Sequence, residues 1–420
     1  MDPAKHGGLL RHSLFLMAAT LVAHVSNTIF QAVMGWTLTP TQYGVLYSML
    51  GVILVVLTPL DAVRTVMAHF AARLSSAGQG SEIRQLVRRW AVGLTWFSVP
   101  LALLGILFSG PLAVFFKLDN RAPIIITSLM LAGAPYVPVL VGTLQGVQAF
   151  GWMAFAAHSW SVVRLAAGTA LVLWVAAIAE CGLIGQALGV CVSILLGVAG
   201  VRAVLGPAER GEHVAGSRTY FAWSLVVLSG FAVLMNGDGV ILKHFFPPEQ
   251  AGLFARAWLI GRSIVFLPMP IALAMFPKVA SSGETAEHTW VTLLKALMLA
   301  GLVVAAAVVV GSLFPRLALL VLFHDTAPEP WMLRLVRLVI WAMSPLSIAY
   351  LIMNFELAQH RFKTALLVVP CALAYVAGVI LWHRSPVQLA AVLGAASTLT
   401  LLLLALGLPW RRGRASAAGD

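Results

Sequence analysis

Two stretches of this chain, Phe97 to Phe116 and Leu297 to Phe314, run for 20 and 18 residues without a single charged side chain. A helix needs about 20 predominantly apolar residues to cross the hydrocarbon layer of a bilayer. Backbone amides in lipid must find their partners within the segment, so such runs have to be helical. A membrane β-barrel would instead show segments of about ten residues with alternating polarity, and these runs do not alternate. Composition agrees: 60% of residues are hydrophobic and 10% charged, against roughly 25% charged in soluble domains.

Apolar runs of this kind recur along the chain, at 13–36, 44–71, 90–116, 122–144, 153–178 and 183–205, then 219–245, 250–276, 290–314, 331–355, 363–382 and 386–408. The pattern predicts an all-α polytopic membrane protein of about twelve transmembrane helices. The expected organisation is a cytoplasmic tail 1–12, an N-terminal six-helix half 13–205, a cytoplasmic linker 206–218, a C-terminal six-helix half 219–408 and a basic cytoplasmic tail 409–420. Lys5 and Arg11 precede a first run too long for a cleaved leader, whose apolar core spans about 7–15 residues, so it reads as a retained helix. The net charge of +12 does not point to nucleic acid, because the basic residues lie between runs. With the N-terminus inside, 16 of the 27 Lys and Arg fall on the cytoplasmic side and 7 on the other. That bias places both termini in the cytoplasm and the protein in the inner (plasma) membrane. Cys181, Cys191 and Cys371 have neither disulfide nor zinc spacing.

The second run opens on Pro40-Thr-Gln-Tyr-Gly44 and the eighth on Pro248-Glu-Gln-Ala-Gly252, an offset of 208 residues. Six runs separate the copies, so the halves read as parallel repeats, an arrangement used by several transporter folds. Prolines 59, 135, 138, 268, 270 and 345 fall inside runs, where they are expected to kink helices.

The stretch Leu38 to Tyr47, together with Gly237 to Phe246, Pro248 to Phe254, Phe266-Leu-Pro268 and Met275 to Lys278, resembles the polysaccharide (Wzx-like oligosaccharide) flippase branch of the multidrug/oligosaccharidyl-lipid/polysaccharide exporter superfamily. The resemblance implies a V-shaped, MATE-like bundle. It also implies translocation of undecaprenyl-diphosphate-linked oligosaccharide, or a related polysaccharide precursor, by alternating access. A cation-coupled multidrug antiporter on the same fold, and a non-transporting membrane subunit of a polysaccharide secretion complex, remain alternatives. The implied partners are membrane lipid, a lipid-linked saccharide, and polysaccharide synthases or polymerases.

Ionisable groups inside a membrane are few and tend to face a cavity or a partner. Four arginines fall within runs: Arg262 and Arg164 deep, Arg256 and Arg64 nearer the ends. A guanidinium stays charged and can grip a diphosphate with paired hydrogen bonds, so these are the candidate substrate-binding cations; a structural ion pair or snorkelling is the competing role. Asp61, three residues before Arg64, and Asp238 are candidates for coupling-ion binding or for ion pairing. Glu356 near Arg361 reads as a salt bridge. His24, Asn27 and Gln31 share one face of the first helix and could line a cavity or bond across helices. The chain holds no phosphate-binding G-x-x-x-x-G-K-[ST] loop, H-E-x-x-H zinc motif or G-x-S-x-G elbow, so neither an enzyme nor a cofactor or metal is expected.

Overall fold

Prolines and small polar residues set where the helices begin. Pro40, Pro248, Pro315, Pro330 and Pro386 each occupy a first helical position, where a missing N–H costs nothing. Thr39 and Ser385 cap two of these starts, each hydroxyl accepting from the backbone N–H three residues on, at 3.3 and 3.2 Å. The computed structural model describes residues 3–205, 218–280, 286–359 and 361–408. The expected linker 206–218 (but for Arg218) and the tail 409–420 lie outside the described residues.

The first half comprises α1 (Pro3–Thr37), α2 (Pro40–Leu57), α3 (Asp61–Ser76), α4 (Gly80–Leu107), α5 (Ser109–Phe115), α6 (Ala122–Gly133), α7 (Tyr136–Gly146), α8 (Phe150–Trp174) and α9 (Ala179–Leu205). Then follow α10 (Arg218–Asn236), α11 (Asp238–Phe245), α12 (Pro248–Phe266), α13 (Met269–Ala280), α14 (Ala286–Leu313), α15 (Pro315–Phe323), α16 (Pro330–Ala358), α17 (Phe362–Ala365), α18 (Val368–Leu381) and α19 (Pro386–Gly407). No strand occurs among the described residues.

Ten of the helices or continuous helix pairs are long and apolar enough to cross a membrane, and α10 with α11, bent by 47° at Gly237, make an eleventh. The remaining expected run corresponds to α1, 35 residues long. Several runs are broken helices. Pro59 sits in a short 3₁₀ turn between α2 and α3, Pro135 between α6 and α7, and Pro268 between α12 and α13. Pro345 lies instead within the continuous α16. α4 starts ten residues before its expected apolar run, so Arg84, Arg88 and Arg89 ride on its first turns.

The chain divides into two compact units, residues 1–221 with 246–252, and residues 222–245 with 253–420. Within the first, small residues allow helices to touch. Lipid tails are as apolar as leucine, so packing in a membrane depends on close van der Waals approach rather than on water exclusion. A Cβ added at Gly185 of α9 would stand 2.5 Å from the Cα of Gly168 on α8, and one at Gly168 would stand 2.8 Å from the Phe30 ring of α1. Along the same crossing, Gly189 lies on the Trp160 carbonyl and Gly200 on the Trp152 side chain. On α7, a Cβ at Gly146 would meet the Ala71 Cβ of α3 at 2.6 Å. The two copies of the repeated motif also meet inside this unit: a Cβ on Gly44 would stand 3.0 Å from the Gly252 Cα, and one on Gly252 would fall on the Pro40 carbonyl.

In the second unit α16 is the central helix, carrying fully buried Val336, Val339, Met343, Leu346 and Met353. Gly261 of α12 admits the Val339 side chain, and Gly394 of α19 lies against Ala342.

Gly185→Ala is expected to force α8 and α9 apart, an overpacking penalty of about 1–3 kcal/mol, and to lower the melting temperature of the detergent-purified protein. Gly301→Ala on α14, where an added Cβ meets nothing within 4 Å, should leave it unchanged. Thermal unfolding followed by size-exclusion chromatography compares the two.

Candidate functional site

Arg164 lies on α8 ten residues before its end, roughly 15 Å along the axis at 1.5 Å per residue, and is only 3% exposed. The glycine crossing just described sets its surroundings, because Gly168 and Gly185 bring α1 and α9 onto the face of α8 that carries it. Its Nη1 donates to Gln186 Oε1 of α9 at 2.8 Å, and its Nη2 donates to Asn27 Oδ1 of α1. The guanidinium carbon lies 4.2 Å from the Phe30 ring centroid and 4.8 Å from that of Trp160. Ring faces attract cations, the more so when desolvated. Among the described residues no carboxylate pairs with Arg164 and its Nε has no hydrogen-bond partner. Amide oxygens and π faces therefore solvate the charge without cancelling it.

The other candidates are placed differently. Arg262, expected as a cavity cation, is 4% exposed and Asp238 is 1% exposed. Arg262 Nη2 donates to both carboxylate oxygens, at 2.5 and 2.6 Å. The two deep candidates of the second half are thus one buried, neutralised pair, beside fully buried Tyr375. Asp61 and Arg64 form the i,i+3 pair that their spacing suggested, at 3.4 Å, with side chains 59% and 32% exposed. Arg256 stacks over Phe323 at 5.2 Å. The Glu356–Arg361 bridge is present at 3.2 Å, with the carboxylate fully buried.

On α1 two of the three polar residues go to separate partners. Asn27 serves Arg164, Gln31 accepts from the Tyr43 hydroxyl at 3.4 Å, and His24 is exposed. Sequence reasoning missed Gln186, Phe30 and Trp160. Gln186 had a signal: a polar residue standing beside Gly185 in an otherwise apolar helix. Among the described residues no group of His, Cys, Asp or Glu could hold a metal ion.

The fold is that of a known class of helical membrane proteins. No family model matches the chain, and no curated protein sequence matches it, but solved structures do. An inward-facing multidrug resistance MATE family transporter of the MOP superfamily superposes with a TM-score of 0.71 at 14% identity, over 93% of this chain and 94% of the other. The lipid II flippase MurJ, in an inward closed conformation, superposes with a TM-score of 0.66 at 13% identity, over 94% of this chain and 87% of that one. A MOP superfamily transporter from Pyrococcus furiosus, described by a binding pocket of reverse polarity suggesting a different function, gives 0.62 at 14% identity, over 96% and 93%. The chain is therefore a multi-pass membrane protein with the MATE and MurJ fold.

The buried Arg262–Asp238 pair makes a sharp prediction. Arg262→Gln or Asp238→Asn alone should each destabilise by about 3–5 kcal/mol, because each strands a buried charge. The double replacement Asp238→Asn with Arg262→Gln should recover much of that loss. A double-mutant thermal-stability cycle in detergent reads the coupling; additive single effects would show that the two side chains are not paired.

Proposed function

We propose that this chain is a transporter that carries an anionic, undecaprenyl-diphosphate-linked oligosaccharide, or a related polysaccharide precursor, across the inner membrane by alternating access. Both termini are then cytoplasmic, as the distribution of Lys and Arg requires. The observation that carries the reading is Arg164: a deep cation held by amides and aromatic rings with no carboxylate to neutralise it. A fixed positive charge in a region of low dielectric attracts an anion more strongly than it would in water, and a guanidinium offers the fork that a phosphate accepts. The two candidate aspartates do not offset it, since each lies against another arginine. Likeness to a lipid II flippase supports the same reading, and polysaccharide synthases or polymerases are the natural partners of such a carrier.

A second reading, a cation-coupled multidrug antiporter, is favoured by the likeness to a multidrug resistance MATE transporter. Electrostatics oppose it, because a cationic drug would meet a like charge at Arg164.

Arg164→Gln, which keeps hydrogen-bonding capacity and removes the charge, should lower translocation of a fluorescent prenyl-diphosphosaccharide in proteoliposomes by at least about tenfold, equivalent to about 1.4 kcal/mol. Arg164→Lys should retain part of the activity. Wild-type transport by the Gln variant, or drug resistance conferred on a hypersensitive host by the wild-type chain, would overturn the anionic-cargo assignment.

A further inference from the structure

We propose that Arg316, Arg334 and Arg337 form a docking site for the phosphodiester headgroup of an anionic phospholipid of the phosphatidylglycerol type, in the outer leaflet. The site is independent of the cargo reading; only its leaflet rests on the orientation proposed above. Three of the seven Lys and Arg on the non-cytoplasmic side of that orientation gather here, where the inside preference of basic residues disfavours them. All three lie in the second unit and all three are exposed. On α16, from Trp331 onward, the exposed side chains are Trp331, Arg334, Arg337, Leu338 and Trp341, one stripe at helical spacing. The two arginines thus lie between tryptophans roughly 15 Å apart along the axis, at 1.5 Å per residue. Tryptophan concentrates at the headgroup level of a bilayer.

Neighbouring elements fix this stripe. Arg337 Nε donates to the Ser312 carbonyl, near the end of α14, at 2.9 Å; that bond pins the guanidinium and leaves its two Nη atoms to reach a ligand. Arg316 follows Pro315 at the start of α15, four residues beyond Ser312. α12 secures the same corner: its Phe254 ring meets the Trp331 ring edge-on at 5.8 Å, and its Arg256 lies over Phe323 at the end of α15. Two carboxylates, Asp325 and Glu329, stand on the connection between α15 and α16. Glu329 accepts from the Trp331 indole N–H at 2.5 Å, and among the described residues neither carboxylate pairs with an arginine.

The surroundings select the partner. Leu313, Phe314, Leu317, Val321 and Leu338, which flank the three arginines, are exposed as well. In a chain that crosses a membrane, such an apolar face meets lipid rather than bulk water. A cation open to hydrocarbon is strongly disfavoured, and the anion that the bilayer itself supplies at this depth is a lipid phosphodiester. A guanidinium fork pairs with two phosphate oxygens. Arg334 and Arg337 stand one turn apart, about 5–6 Å at Cβ, so both forks can close on one phosphodiester while Arg316 approaches from α15. Pinning Arg337 in advance lowers the ordering cost of that contact. A zwitterionic headgroup offers the same phosphate but brings a cation that three arginines repel.

The test is native mass spectrometry of the full chain, purified in detergent and titrated with phosphatidylglycerol or with phosphatidylcholine. The wild-type protein should retain phosphatidylglycerol selectively. Arg316→Gln with Arg334→Gln, which leaves the Arg337–Ser312 bond intact, should weaken that binding by about thirtyfold, the summed effect of two basic residues beside an anionic lipid. Arg316→Lys with Arg334→Lys should keep most of it, and Arg88→Gln with Arg89→Gln, exposed arginines of α4, should change it little. Equal retention of the two lipids, undiminished binding in the α15–α16 Gln pair, or an equal loss in the α4 pair overturns the site. Stronger retention of a prenyl diphospho-N-acetylglucosamine, lost in the same α15–α16 Gln pair, would give the corner to cargo and overturn the phospholipid. The leaflet is read separately. Thr326→Cys, exposed on the connection between α15 and α16, should react with a membrane-impermeant maleimide on intact cells, above the background of the parent chain. Labelling only after the membrane is opened overturns the outer-leaflet assignment and the orientation with it, and leaves the cargo reading to the Arg164 variants.

Discussion

A cation that cannot reach water has to be stabilised by whatever the protein places around it, and in this molecule that requirement centres on Arg164. Its guanidinium draws one amide oxygen from α1, another from α9, and two aromatic faces from α1 and α8. Those groups reach it because Gly168 and Gly185 let α8 and α9 approach to backbone contact and let the Phe30 ring of α1 seat against Gly168. A side chain at either glycine would push the helices apart and leave the charge poorly solvated. Packing and electrostatics in the first unit are therefore the same problem: the small residues that hold the bundle together also hold the charge.

The second unit handles the deep Arg262 by cancellation. Arg262 and Asp238 take each other out of play, with both oxygens engaged and both side chains sealed from solvent. A buried pair of this kind adds little net stability, yet breaking it is expensive because the survivor is left uncompensated. The two units thus treat the same residue type oppositely. The uncancelled charge in the first is what makes an anionic ligand chemically sensible.

Likeness to MATE and MurJ structures at 13–14% identity over nearly the whole chain has a physical basis. A bundle in lipid asks for apolar outward faces, small residues where helices cross, and prolines or glycines where they bend. Many sequences meet those demands.

The sequence by itself determined the class and the helix plan. Uncharged runs of membrane length dictated helices because lipid offers no partner to a backbone amide, and Pro59, Pro135 and Pro268 marked real breaks. The i,i+3 spacing of Asp61 and Arg64, and the nearness of Glu356 to Arg361, were legible because such pairs are local in the chain. Tertiary structure alone decided which deep charges stay uncancelled. Arg262 and Arg164 look equivalent in sequence, both arginines deep within apolar helices. One meets Asp238 from 24 residues away; the other meets Asn27 and Gln186, which neutralise nothing. Charge compensation depends on distance through space, and no periodicity along one helix records what a neighbouring helix will present.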